Sequence, residues 1–407
     1  MALFDLLTGG SAKDKFARRV MQHLRERGWS EPLEYDKSSS RIVHQYGSHD
    51  VSLPFEDSQN ADEPRRREII EQLADIAFRA KAGPPSLEEA APSLLPVVRP
   101  LIHLQEIWFS GQSWEATPFG HAHKPIAGAL SAVVAIDFGH GHKLVGDADL
   151  EKWGADFETA LALSVENLRA RTRQAPERGP GGYFVSSYED FYDASRLLLT
   201  DLIETLPLKG DPVAIAPSRD ALLVAGSEEP EALGAMAGVV EAALERPHRF
   251  LSPAPLVWRD GEWWLYDGRD VEDPLARLAS RTKQLGWSLI TRALEAQPIS
   301  GFQDATRPMV VTDPVDGRIN QRALISPAKT TLCPAVDVVV LQGPDGELIA
   351  RSFSDLQAIW GPFQEIPDVA PPIYVVPQLS AESLAQMKAR PVAEGYTKFE
   401  EDFLQSR

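Results

Sequence analysis

The chain has almost no cysteine, no long apolar run and no surplus of positive charge, and each absence removes a class of protein. Cys333 is the single cysteine among 407 residues, so no disulfide forms within the chain and no multi-cysteine zinc or iron–sulfur site exists. No apolar run approaches the roughly 18 to 20 residues that cross a bilayer, and no membrane association is expected. A formal net charge of -18 repels phosphate backbones and anionic head groups, which argues against nucleic acid as a partner. The one basic run, Arg65 to Arg67, opens a helical pattern with Glu68 and Glu71 and reads as a solvated face.

Familiar catalytic phrases are missing too. Gly9 to Lys13 lacks the spacing of a phosphate-binding loop. Ser326 and Lys329 match Ser-x-x-Lys but have no companion motifs. No Gly-x-Ser-x-Gly elbow or Gly-rich dinucleotide fingerprint occurs. The segment from Met1 to Gly10 lacks the basic and apolar regions of a secretory signal. Together with the cysteine count, this points to the cytoplasm.

What is present is an ordinary globular composition, 43% hydrophobic and 25% charged, long enough for several domains. The 32 prolines punctuate small units, and the expected class is α+β, multi-domain, with small mixed units and largely antiparallel sheets. Residues 1–90 read as helix, small sheet and helix, with Phe16, Val20 and Leu24 on the first helix, short strands that include 51–55, and Ile69, Ile70 and Leu73 on the second helix. Residues 91–178 hold an almost uncharged run, 127–138, that reads as one buried strand. Residues 179–270 carry a helix over 192–206, strands at 212–216 and 221–226, and a hairpin around Asp260 and Gly261, a pair that favours a type I′ turn. Residues 271–407 read as a further domain that opens with a long helix, and Cys333 as a buried apolar residue within it.

Three constellations are candidates for function. The phrase Phe-Gly-His-x-His-Lys occurs twice, at 119–124 and 138–143, and holds His121, His123, His140 and His142. Such pairs suit zinc or another divalent cation, with Asp137, Asp147 or Asp149 as further ligands. An unbroken strand 127–138 would hold the two copies over ~30 Å apart, too far for one ion. Tyr192, Asp193, Ser195 and Arg196 form a polar cluster suited to a carboxylate or phosphate. Its structural alternative is a helix start in which Asp193 caps and Arg196 pairs with Glu189 or Asp190. Trp258, Trp263 and Trp264 crowd one hairpin, where simple alternation puts Trp258 and Trp264 on one face and Trp263 on the other. The outward face is a candidate contact surface for a protein partner.

Gly182 to Phe184, Tyr192 to Arg196, the strand pair Val213 to Ala225 and the hairpin ending at Tyr266 follow one another in an order that resembles the YtpQ-like family, a bacterial domain of unknown function. Val134 to Asp137 and Asn167-Leu168 fit the same pattern, so the resemblance covers roughly residues 12–268. The doubled histidine phrase and the tail after 270 lie outside it. The resemblance implies an architecture and no reaction or cofactor. The expected function is therefore that of a binding or adaptor protein, acting on a protein partner or on a second copy of itself rather than as an enzyme. The alternative is a metal-dependent hydrolase built on one His-x-His pair.

Overall fold

A computed structural model describes residues 11–37, 40–44, 47–101, 122–139, 142–186, 188, 190–244, 251–268, 270, 272–296, 304–306, 308–312, 319–343, 346–366 and 372–390. The fold is α+β and multi-domain, with several small, mostly antiparallel sheets. The chain groups into two compact units, one drawn from residues 1–95 and 134–167, the other from 96–133 and 168–407.

The first unit is built on two helices. Ala12–Glu26 starts at Ser11, whose hydroxyl accepts from the Asp14 amide while the Asp14 carboxylate accepts from the Ser11 amide. This reciprocal cap satisfies two amides that would otherwise lack partners. Glu63–Ala82 is capped by Asp62 and ends at Gly83, which has φ 56. Phe16, Val20 and Leu24 from one helix meet Ile69, Ile70 and Leu73 from the other, over Trp29 and Ile42. Strands Glu34–Asp36, Arg41–His44 and Gly47–Asp50 pair in that order, antiparallel throughout. The segment after them corrects the sequence expectation. Residues 51–55 begin a helix, Ser52–Gln59, because the Asp50 carboxylate takes the Ser52 amide and the Val51 carbonyl takes that of Phe55. Side-chain capture of a leading amide favours a helical turn over a strand.

The expected strand 127–138 is also two elements. Lys124–Ala127 turns back at Gly128, φ 55, and pairs antiparallel with the start of Leu130–Asp137. A Cβ at 128 would stand 2.8 Å from the Leu265 methyls, which would have to shift, and the positive φ favours glycine at this turn.

The second unit is organised by a six-stranded antiparallel sheet. Its order from edge to edge is Glu262–Leu265, Leu256–Arg259, Pro212–Ser218, Ala221–Gly226, Phe184–Ser186 and Glu177–Arg178. Strand alternation sends Ala214, Ala216, Leu222 and Val224 to one face, with Leu197 and Trp263. Val213, Ile215, Leu223 and Ala225 go to the other, under Met236, Val240, Leu275 and Leu278. Fully burying a side chain of this size contributes about 1.5–3 kcal/mol, so two covered faces make this sheet the main source of stability here. Residues 304–376 form two four-stranded sheets, in one of which Ile319–Ile325 runs parallel to Val338–Gln342. Cys333 is buried there, and burial pushes its thiol up, out of the reactive range.

Candidate functional site

The expected helix 192–206 is interrupted. Ala194–Leu198 is a 3-10 turn and Thr200–Glu204 a single α turn, because the polar side chains ahead of them are tied into local turns. Asp190 accepts from the Tyr192 amide at 3.0 Å, which closes an Asx turn. Phe191 between them takes φ 68 and is 48% exposed, with the Arg219 guanidinium 4.5 Å from its ring. A bulky residue in the left-handed region is a strained position.

Arg196 lies at the centre of this segment, 4% exposed. Its guanidinium forks onto Asp190 at 3.0 and 2.8 Å, reaches Asp193 at 3.3 Å and donates through Nε to the Thr172 hydroxyl at 3.1 Å. The ring of Tyr188 covers its face at 3.6 Å. Asp193 is fully buried and accepts from the Ser186 hydroxyl at 2.7 Å and the Tyr188 amide at 2.8 Å. It does not cap a helix. Burial pushes the Asp190 carboxyl up, but the Arg196 bonds and the Tyr192 amide outweigh it and hold the group below the usual carboxylate range. The Ser195 hydroxyl accepts from the Val98 amide at 3.2 Å, and Tyr192 is buried. Thus Asp193 and Arg196 do converge, on one another and on Asp190, whereas the Ser195 hydroxyl is turned to the Val98 amide. The guanidinium fork that suits an anionic ligand is filled by Asp190.

Beside this cluster lies a cleft of about 240 Å³. Ser186, Arg196, Leu199, Ile203, Leu222 and Val224 form its buried floor, and exposed Arg173, Gln174 and Ala175 line its outer side. The polar side chains toward its buried floor are already engaged. The Tyr188 hydroxyl donates to the Gln174 carbonyl and accepts from its amide at 2.8 Å. The Thr172 and Thr205 hydroxyls donate to the Leu168 and Leu202 carbonyls at 2.8 and 2.7 Å. What remains for an occupant is mostly apolar surface, with the exposed Arg173 and Gln174 side chains at the outer side. Tyr188 and Thr172 were the residues missed by sequence reasoning, since neither belongs to a motif. An aromatic eight residues ahead of Arg196 was the only signal.

The tryptophan hairpin also departs from simple alternation. Asp260 and Gly261, φ 54 and 81, form the expected type I′ turn and pair Arg259 with Glu262. This two-residue connection places Trp258 directly opposite Trp263, with ring centroids 5.2 Å apart. Trp258 and Trp263 therefore share a face and Trp264 has the other, because cross-strand partners, not residues of equal parity across a turn, point the same way. Trp263 is buried and donates to the Leu197 carbonyl at 3.2 Å. Trp258 donates to Glu204 at 2.7 Å. Trp264 is 55% exposed.

Of the doubled histidine phrase, His121 and His140 lie outside the described residues, while His123 and His142 are half-buried. His142 sits opposite Asp137 in the strand register. Asp137 accepts from the Gly139 amide at 2.9 Å, and Asp149 holds Lys143 at 2.6 Å and the Gly146 amide at 3.1 Å. Asp147 lies in the first turn of helix Asp147–Trp153. Among the described residues no group of three or more His, Cys, Asp or Glu is placed to hold a metal, and no helix is long and apolar enough to cross a membrane.

No family model, curated protein or solved structure matches the chain. The cleft and its neighbours must speak for themselves.

Proposed function

We propose that this chain is a cytoplasmic binding protein whose cleft beside Arg196 receives an apolar anchor side chain of a protein partner. The observation that carries the reading is a cleft of about 240 Å³ with a mostly apolar lining and a floor whose polar groups are satisfied from within. Small-molecule sites run to ~300–1,000 Å³ and place a few open polar groups to orient the ligand. A smaller, apolar, pre-formed cavity suits one or two side chains, the usual anchor of a protein interface. Two carboxylates against the Arg196 guanidinium leave no net positive charge at the floor of the cleft, and Arg173 stands on its exposed outer side. The likeness to the YtpQ-like family supports an architecture of this kind and adds no reaction to it.

The test is a methyl NMR titration of the full chain with N-acetyl amino-acid amides as probes. The Trp, Phe and Leu amides are expected to shift the methyls of Leu202, Ile203 and Leu206, with the Asp and Glu amides silent. Responses to the acidic amides alone, or to none of the series, would overturn the reading.

A further inference from the structure

A further pair of histidines, outside the doubled phrase, faces one another across the hairpin of the first unit. Arg41–His44 and Gly47–Asp50 pair with Ile42 opposite His49 and His44 opposite Gly47. His44 and His49 are therefore diagonal neighbours on one face, the face on which Ile42 enters the core. Their Nε2 atoms are 2.8 Å apart. The ring of Trp29 abuts His44 with centroids at 4.8 Å and is itself held by Phe78 at 5.4 Å, so the nearer imidazole is fixed by packing. His44 is 7% exposed, whereas His49 is half-buried and keeps a solvent side. Burial pushes both imidazoles down to about 4, against a smaller upward pull of Glu31 on His44 and with a further downward push of His44 on His49.

Two nitrogens 2.8 Å apart are at hydrogen-bonding distance and also at the spacing of two neighbouring ligands on one ion. Ligands ~2.0 Å from an ion and at right angles to one another stand about 2.8 Å apart, as in square-planar or octahedral sites, whereas tetrahedral zinc spreads its ligands to about 3.3 Å. We infer that His44 and His49 form a two-nitrogen site for a single divalent cation of the nickel or copper kind, with water completing its shell from the His49 side. On binding, the hydrogen bond between the rings is lost: the donor ring gives up its Nε2 proton to solvent and takes one up on Nδ1, with no net proton released, and two nitrogen–metal bonds replace the bond. Both rings then carry their remaining proton on Nδ1.

The inference is tested on the full chain with CuCl₂ and NiCl₂ at pH 7.5. Calorimetry with Ni²⁺ should give one ion per chain. Substoichiometric Cu²⁺ should broaden the Ile42 methyl and Trp29 indole resonances of the wild-type protein first, a readout that no folding defect disturbs. His49→Gln and His44→Asn should each weaken the ion by more than the ~10–100-fold that loss of an outer-shell partner costs. Replacing His121, His123, His140 and His142 together should leave it unchanged. Zn²⁺ should bind more weakly than Ni²⁺. Absence of a one-to-one ion, broadening centred away from Ile42 and Trp29, or loss of the ion only in the fourfold variant would each overturn the assignment.

Discussion

Two arginines of the second unit, Arg196 and Arg351, are buried to nearly the same degree, 4% and 5% exposed, yet they are held by different chemistry. Arg196 is met by two carboxylates and a hydroxyl. Among the described residues Arg351 is met only by backbone carbonyls, those of Ala350 at 2.6 Å, Met387 at 3.0 Å, Arg390 at 2.9 Å and Lys388 at 3.4 Å. Met387 and Lys388 lie in the last turn of helix Ala381–Ala389, so Arg351 supplies donors and positive charge where a helix end offers carbonyls and a negative dipole. The difference teaches that a buried guanidinium does not by itself mark a ligand site. One fastens a loop beside a cleft, and the other docks the last described helix onto strand Leu348–Ser352.

The same substitution at both positions separates the two roles. Arg196→Met should strand the buried Asp193 carboxylate without its cation and cost about 3–5 kcal/mol. Hydrogen exchange should show opening of residues 186–199, and adding Asp193→Asn should recover part of the loss. Recovery is the informative arm, since a purely steric role for Arg196 would not give it. Arg351→Met leaves only neutral carbonyls behind. Its expected cost is about 1.5–3 kcal/mol, read as faster exchange confined to 381–389. An equal loss at both sites would erase the distinction between carboxylate and carbonyl partners.

Much of this architecture was legible in the sequence, and the failures share a cause. The i, i+4 spacing of Phe16, Val20 and Leu24 reports a helix because all three enter one core. Asp260-Gly261 reports its hairpin because only one turn type suits that pair. Composition failed wherever a single local bond decided the outcome. The Asp50 carboxylate diverted 51–55 from strand to helix, and the turn at Gly128 broke a run that hydropathy alone reads as continuous. At the site, Asp193, Ser195 and Arg196 stood out as polar residues in an apolar region, but their occupancy by Asp190, Ser186 and Val98 depends on contacts that no motif encodes. His44 and His49 were passed over because the signal is a register, not a phrase.

Acid provides the gentlest way to sharpen the contrast between the arginines. The Asp190 carboxyl is held below its ordinary value in the folded chain, with burial opposing and the Arg196 bonds prevailing. A depressed folded value means that its stabilisation is fully present above the unfolded carboxylate range and is lost as pH falls through the folded value. The loss therefore begins below about pH 4, where unfolded aspartates take up protons. Carbonyls do not titrate, so the grip of Arg351 on 381–389 has no counterpart to this loss. Stepwise acidification followed by hydrogen exchange should open 186–199 with a pH dependence that Asp190→Asn flattens, while Asp190→Asn leaves 381–389 unaffected. An Asp190→Asn protein that keeps the wild-type acid profile in 186–199 would show that the loop is fastened by Tyr188 stacking and Thr172 rather than by the carboxylate.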